Sequence, residues 1–283
     1  MMTTLFTELH QYQLWRDSLD GSSIVGFVPT MGALHEGHIN LMQRAKRECD
    51  VVVVSIYVND LQFNSHQDFD RYPRTLSLDT NICKEAEVDV VLAPNKTDLF
   101  PHNVETLIEP SASAMGYEGR DRPGHFAGVT TIVDALFSSV RPTKVFLGLK
   151  DYQQVCVIRD MAAIKHPEVS IVPCSTIRDH DGLALSSRNR FLTEIGREKA
   201  LCIPRALNHV QRLWNEGMHD VTELELYAKQ MFHTVDDVEL QYVSIVEQGS
   251  MTHATVAREH DTVLIAAIVE GIRLIDNVQL LSV

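Results

Sequence analysis

The run Ile24-Val25-Gly26-Phe27-Val28-Pro29-Thr30-Met31-Gly32-Ala33-Leu34-His35-Glu36-Gly37-His38-Ile39-Asn40-Leu41-Met42-Gln43-Arg44-Ala45 changes periodicity halfway along. Ile24 to Val28 is a short apolar run, the pattern of a buried strand. Pro29, Thr30 and Gly32 break it. Leu34, His38, Leu41, Met42 and Ala45 then recur at three- and four-residue steps, which predicts a helix. A strand, a tight turn and a helix aim a helix N-terminus at an anion. Gly32 and Gly37 carry no Cβ, so backbone there can come close to a bulky ligand. His35 and His38 are three apart and share one helix face. Two imidazoles beside a positive helix end suit a polyphosphate, because they donate hydrogen bonds and offset charge that builds during phosphoryl chemistry. Two other readings use the same residues. One is a metal pair, but the zinc-protease motif sets its histidines four apart, and here they are one step closer. The other is a capped helix with incidental histidines; against it stands the crowding of two glycines and two histidines into one turn.

The remainder of the chain supplies the setting. Its 283 residues allow one large domain or two ordinary ones, at roughly 100–200 residues each. A net charge of −13 argues against a nucleic-acid partner, since such proteins carry basic stripes. It does not oppose a small anionic ligand, which needs only a local basic pocket. The five cysteines, Cys49, Cys83, Cys156, Cys174 and Cys202, are scattered and odd in number, which fits a reducing cytosol and small buried packing. No basic-then-apolar leader opens the sequence, and no apolar run approaches the roughly 20 residues of a membrane span. The expectation is a cytoplasmic protein with no membrane or nucleic-acid partner.

Leu5, Leu9 and Tyr12 predict a first helix ahead of the opening strand. Val51 to Val58 reads as a strand buried on both faces, ended by Asn59. A helix over Leu76 to Ala86 and a strand over Val88 to Ala93 follow, then a short extended piece from Val104 to Ile108. Gly116 to Gly128 reads as a loop, and Val129, Val133, Leu136, Phe137 and Val140 as a helix. Lys144 to Leu147 is a strand, Tyr152 to Ile164 a helix, and Val169 to Val172 a strand. This alternation means βαβ units and a parallel sheet. The fold class is α/β: a Rossmann-like parallel sheet with helices on both faces over residues 1–176. Ligands of such sheets bind outside the strand carboxyl ends. After Asp181-Gly182 the rhythm changes. Ile203, Ala206, Leu207, Val210, Leu213 and Trp214 form a helical stripe that Gly217 stops, and Thr222 with Glu225 reads as a capping box. Strands at Leu240–Val246, Val263–Val269 and Ile272–Ile275 then make a smaller α+β domain over residues 177–283.

Five further segments carry chemistry. Asn59-Asp60-Leu61-Gln62-Phe63 offers two amides that donate and accept, at a strand end; an ordinary turn would look the same. Tyr72-Pro73-Arg74-Thr75 leads to Asp79, which is either a helix-dipole partner or a ligand of Mg²⁺. In Arg122-Pro123-Gly124-His125-Phe126-Ala127-Gly128-Val129 the histidine precedes a helix and can meet an anion, or is a plain loop residue. Phe146-Leu147-Gly148-Leu149-Lys150-Asp151-Tyr152-Gln153-Gln154 places a compact positive charge, Lys150, after a strand. Asp151 there either accepts from a ribose hydroxyl or caps the helix. Asp181-Gly182-Leu183-Ala184-Leu185-Ser186-Ser187-Arg188-Asn189-Arg190 joins two hydroxyls and a guanidinium in a glycine-led loop, a set suited to a triphosphate.

His-Glu-Gly-His resembles the HIGH signature of nucleotidyltransferases and class I aminoacyl-tRNA synthetases. The fuller string from Pro29 to His38 resembles the pantoate–β-alanine ligases (pantothenate synthetases), and the later segments match that family in order up to residue 190. The resemblance implies that pantoate attacks ATP to give pantoyl adenylate and pyrophosphate, and that β-alanine then displaces AMP. It places ATP at Met31, Gly32, Ala33, Leu34, His35, Glu36, Gly37 and His38, at Gly148, Leu149, Lys150 and Asp151, and at Ile177, Leu185, Ser186, Ser187 and Arg188. Catalytic weight falls on His38, His35, Lys150, Ser186, Ser187 and Arg188. Pantoate and β-alanine fall to Gln62, Gln154, Asn59, Tyr72 and His125. Mg²⁺ accompanies ATP, the second domain acts as a lid, and a homodimer is implied. Two departures stand out: Asp60-Leu61 replaces the family's Pro-Met, and Leu149 replaces its Glu. An adenylyltransferase of the same superfamily and a catalytically silent nucleotide-binding regulator are the alternative functions.

Overall fold

The computed structural model describes residues 3–100 and 107–282. The chain begins with a strand, β1 (Thr4–Phe6), and helix α1 (Leu9–Asp17). Then come β2 (Val25–Thr30), α2 (Glu36–Glu48), β3 (Val51–Ile56), α3 (His66–Arg71), α4 (Leu76–Glu85) and β4 (Val90–Leu92). Next are α5 (Lys96–Leu99), α6 (Tyr117–Asp121), α7 (His125–Val140), β5 (Lys144–Gly148), α8 (Tyr152–Lys165) and β6 (Ser170–Cys174). The remainder holds α9 (Glu194–Ala200), α10 (Cys202–Asn215), α11 (Val221–Phe232), β7 (Val238–Val246), β8 (Thr262–Val269) and β9 (Ile272–Gln279).

Two compact units divide the chain. One holds residues 1–148 and 157–174; the other holds 149–156 and 175–283. In the first, six parallel strands lie in the order β1-β4-β3-β2-β5-β6. Strand order reverses beside β2, with β3 on one side and β5 on the other, and open α/β sheets bind ligands at the carboxyl ends near such a reversal. Val52, Val53 and Val54 of β3 are buried as a continuous run because the strand is covered on both faces. Leu41, Met42 and Ala45 of α2 pack with Val28, Val52, Val54 and Phe146 in one apolar cluster. The second unit has an antiparallel sheet, β7-β8-β9, with a bulge between Leu240 and Tyr242. Ile203, Ala206, Leu207, Val210 and Trp214 of α10 fill its core together with Ile245, Val263 and Ile265.

Several boundaries differ from the sequence reading. Leu5 belongs to β1, which pairs with β4, so a short edge strand precedes the first helix. Three residues are too few to show strand periodicity above the helical pattern that follows. Pro29 and Thr30 continue β2 rather than ending it. Thr30 bonds toward β3, so by alternation the Pro29 nitrogen faces β5, where pairing stops at Phe27↔Val145 and no donor is needed. The 116–128 loop contains α6, and α7 begins at His125. The cap of α11 is Asp220, which accepts from the Glu223 N–H, and not Thr222. The extended piece expected from Val104 lies largely outside the described residues.

Among the described residues no helix is long and apolar enough to cross a membrane. Burial pushes the thiols of Cys49 and Cys202 up to about 11 and that of Cys83 up to about 12, as packing residues rather than nucleophiles.

Candidate active site

In the first unit, β2 delivers Met31 to His35 as a turn of unusual backbone. Gly32 has φ +77° and Ala33 φ +51°, both in the left-handed region. A Cβ on Gly32 would come within 2.9 Å of the Asp79 carboxylate. That carboxylate organises the turn. Asp79 is 1% exposed, and its oxygens accept from the Ala33 N–H (3.1 Å), the Leu34 N–H (2.9 Å) and the Thr75 hydroxyl (3.0 Å). The sequence reading weighed Asp79 as a dipole partner or a Mg²⁺ ligand; it lies in the first turn of α4, and its oxygens accept from backbone and hydroxyl donors. The signal for this was present, since Asp79 lies four residues before buried Cys83 on the inward face of α4.

The turn opens into α2 through a reciprocal cap. His35 Nδ1 accepts from the Gly37 N–H at 3.1 Å, and His38 Nδ1 accepts from the His35 N–H at 3.3 Å. Each ring therefore uses Nδ1 as an acceptor, which places the proton of the neutral imidazole on Nε2. The ring centroids are 4.2 Å apart. A Cβ on Gly37 would sit 2.9 Å from the His35 ring, so glycine is required there for the ring to lie over the helix start. The capped-helix reading has this basis: both histidines take part in the capping box that starts α2.

The turn after β3 comes to the same unit's α7. Asn59 is 1% exposed; its amide donates to Gln62 Oε1 (3.0 Å) and to the Gly128 carbonyl (3.1 Å), and its oxygen accepts from the Leu61 N–H. Asn59 therefore orients Gln62. Gln62 Nε2 lies 3.1 Å from the Met31 sulfur, which brings the β3 turn to the β2 turn. A Cβ on Gly128 would fall 2.2 Å from the Leu61 carbonyl oxygen, so this glycine lets the 59–62 backbone lie on the helix. His125 is 5% exposed, and its Nδ1 is 2.9 Å from the Gln62 carbonyl oxygen. Tyr72 stacks edge-on against Phe63, the residue after Gln62. The residues expected to take a polar acid, Gln62, Asn59, Tyr72 and His125, thus form one group within this unit. The aspartate at position 60 pairs with Lys96, an ion pair that ties the turn to α5 where proline would have stiffened it.

The second unit holds the other expected residues. Leu149–Asp151 forms a single 3₁₀ turn before α8, and Lys150 Nζ lies 3.5 Å from the Asp151 carboxylate. Gln154 is half-buried on the first turn of α8. Residues 177–185 fold back on themselves: Leu185 N–H donates to the Ile177 carbonyl and Asp179 N–H to the Leu183 carbonyl, each within 2.9 Å. The Ser186 hydroxyl caps the 3₁₀ turn Ser187–Phe191 by accepting from the Arg188 N–H. Thr193 in turn caps α9, its hydroxyl accepting from the Gly196 N–H. Arg197 bridges Asp179 and Asp181 and stiffens the base of the loop. Neighbouring donors from His180 and Arg197 hold the Asp179 carboxyl down at about 2.

The pantoate-beta-alanine ligase family model matches residues 4–279. The chain is 39% identical to the pantothenate synthetase of Rhodopirellula baltica over 280 residues, 98% of each chain. It is 41% identical to that of Agrobacterium fabrum over 255 residues, 89% of this chain and 87% of the relative. The crystal structure of pantothenate synthetase from Thermus thermophilus superposes with a TM-score of 0.91 at 36% identity, covering 99% of this chain and 100% of that one. A pantoate-beta-alanine ligase from Francisella tularensis, complexed with beta-gamma ATP and beta-alanine, gives a TM-score of 0.80 at 35% identity over 99% and 98%.

Proposed function

We infer the mechanism from one premise: the chain belongs to the pantoate–β-alanine ligase family. It is an ATP-dependent ligase that joins pantoate and β-alanine. A carboxylate resists attack by an amine until a better leaving group replaces one of its oxygens. We propose that the pantoate carboxylate attacks the α-phosphate of ATP, releasing pyrophosphate, and that the amine of β-alanine then attacks the pantoyl adenylate carbonyl, releasing AMP and pantothenate. The observation that carries this reading is the pair of imidazoles whose Nδ1 atoms are held by backbone N–H groups at the start of α2. Fixed Nε2 donors at a positive helix end stabilise charge developing on phosphate oxygens without reorganising. His38 and His35 take that role. Lys150, Ser186, Ser187 and Arg188 hold the β- and γ-phosphates, Ile177 and Leu185 lie along the nucleotide, and Gln62 and Gln154 hold pantoate. The protein contributes position and electrostatics rather than a covalent intermediate.

Mg²⁺ enters as part of the MgATP substrate. Among the described residues no cluster of three His, Cys, Asp or Glu side chains is built to hold a metal alone. Phosphate oxygens supply most ligands in such complexes. The working form in this reading is a cytoplasmic homodimer, and light scattering after size exclusion reports its mass.

The order of steps is tested by ATP–pyrophosphate exchange. Exchange is expected with pantoate and MgATP alone; a strict need for β-alanine would overturn the adenylate. Gln62→Ala is expected to raise the KM for pantoate at least about tenfold, the loss of a hydrogen bond to a charged ligand. The KM for ATP should stay within about twofold. Parallel loss of both would reassign Gln62 to the fold of the 59–62 turn.

A further inference from the structure

The C-terminal third carries one motif that the reaction has not absorbed, Arg273-Leu274-Ile275-Asp276-Asn277, on β9. β9 is an edge strand, paired among the described residues with β8 alone, and an edge leaves backbone and side chains available to other segments. Here two consecutive residues of that edge grip two loops of the same unit. Asn277 is 6% exposed, and both hydrogens of its amide are engaged, one on the Leu149 carbonyl at 2.8 Å and one on the Lys150 carbonyl at 2.9 Å. Asp276 is 4% exposed and receives the Arg178 fork, at 2.6 and 3.0 Å. The same Arg178 donates to the Gly182 carbonyl at 3.1 Å and to the Asn277 carbonyl at 3.1 Å, closing the loop that leads into Ser186. Asn189 Nδ2 then binds the Ala184 carbonyl at 2.9 Å from the far side of that loop.

We propose that Asn277 and Asp276 are positioning residues that fix the Lys150 turn and the Ser186–Arg188 loop to one strand, so that their charges are presented at a constant spacing. The proposal rests on the reading that those two segments hold the phosphates of ATP. The residue types follow from the partners. Two carbonyl oxygens require two donors from one neutral group, which asparagine supplies and aspartate does not. A guanidinium fork requires a carboxylate. Burial keeps water from replacing either set of bonds, so the geometry is held rather than sampled. The family's usual glutamate before the lysine is leucine here, at position 149. The Asn277 contact uses only the backbone carbonyl of Leu149, so it is indifferent to that replacement.

A double-mutant cycle between Lys150→Ala and Asn277→Ala tests this, read on ATP–pyrophosphate exchange and normalised to folded protein by near-UV circular dichroism. Asn277→Ala is expected to lower the exchange rate between about 10- and 100-fold through a misplaced charge, and to raise the KM for ATP while leaving that for pantoate within about twofold. In the Lys150→Ala background it should add less than about threefold, because its effect runs through the lysine. Full additivity, or wild-type exchange by folded Asn277→Ala, would overturn the positioning role. If Lys150→Ala itself exchanges normally, the underlying phosphate assignment fails instead, and the two failures are distinguishable. Should Asn277→Ala not fold, Asn277→Ser keeps one donor and carries the same cycle.

Discussion

His38→Ala is expected to lower turnover by more than about 100-fold, the low end for removal of a group that stabilises transition-state charge. The measurement is AMP release with saturating MgATP, pantoate and β-alanine. The reason lies in the ring's two nitrogens. Nδ1 accepts from the His35 N–H and serves the cap, and in the proposed reading the Nε2–H serves the phosphates. Alanine removes both functions, and the lost cap costs about 1 kcal/mol of stability. Two longer substitutions separate the functions. In His38→Asn the side-chain oxygen falls near the position of Nδ1 and keeps the cap, so stability is retained and activity is not. In His38→Gln the amide reaches the position of Nε2 and recovers part of the rate. Near-normal pantothenate formation by His38→Ala, or a better rate for asparagine than for glutamine, would remove His38 from the reaction.

Asp79→Ala is expected to destabilise the protein by about 2–4 kcal/mol in urea unfolding, and to lower turnover at least tenfold in the fraction that remains folded. Two backbone N–H groups lose their acceptor, that of Leu34 in a buried place and that of Ala33 in a part-buried one, and each loss of a buried partner costs about 1–3 kcal/mol. One of those residues, Ala33, has a left-handed backbone that needs holding in place. Asp79→Asn keeps the shape and one acceptor but sets an amide NH₂ against a backbone donor, so it should lose stability as well. A carboxylate serving only Mg²⁺ would behave otherwise: Asp79→Asn would unfold like the parent protein and regain rate at high Mg²⁺. That result would sink the turn-building role.

Leucine at position 149 and aspartate at position 60 were the two departures from the family pattern, and the structure accounts for each differently. The 149 contact is made through a backbone carbonyl, which any side chain provides. Asp60 forms an ion pair with Lys96 that restrains the turn by charge instead of by a ring. Lys96 is 36 residues from Asp60, so that compensation was not legible beforehand.

The linear order of residues determined the βαβ alternation, the α/β class, the strand–turn–helix at 24–45 and the chemical type of each binding segment. These depend on local periodicity and on backbone preferences acting over a few residues, which a single chain displays openly. Tertiary structure alone decided which hydrogen-bonding groups are turned inward to hold other groups. Asp79 supports a turn more than 40 residues away, Asn59 orients Gln62, and Asn277 grips the Lys150 turn across more than 120 residues. A polar side chain looks the same in sequence whether its partner is a ligand or a distant backbone group; burial and distance separate the two, and both arise only when the chain has folded.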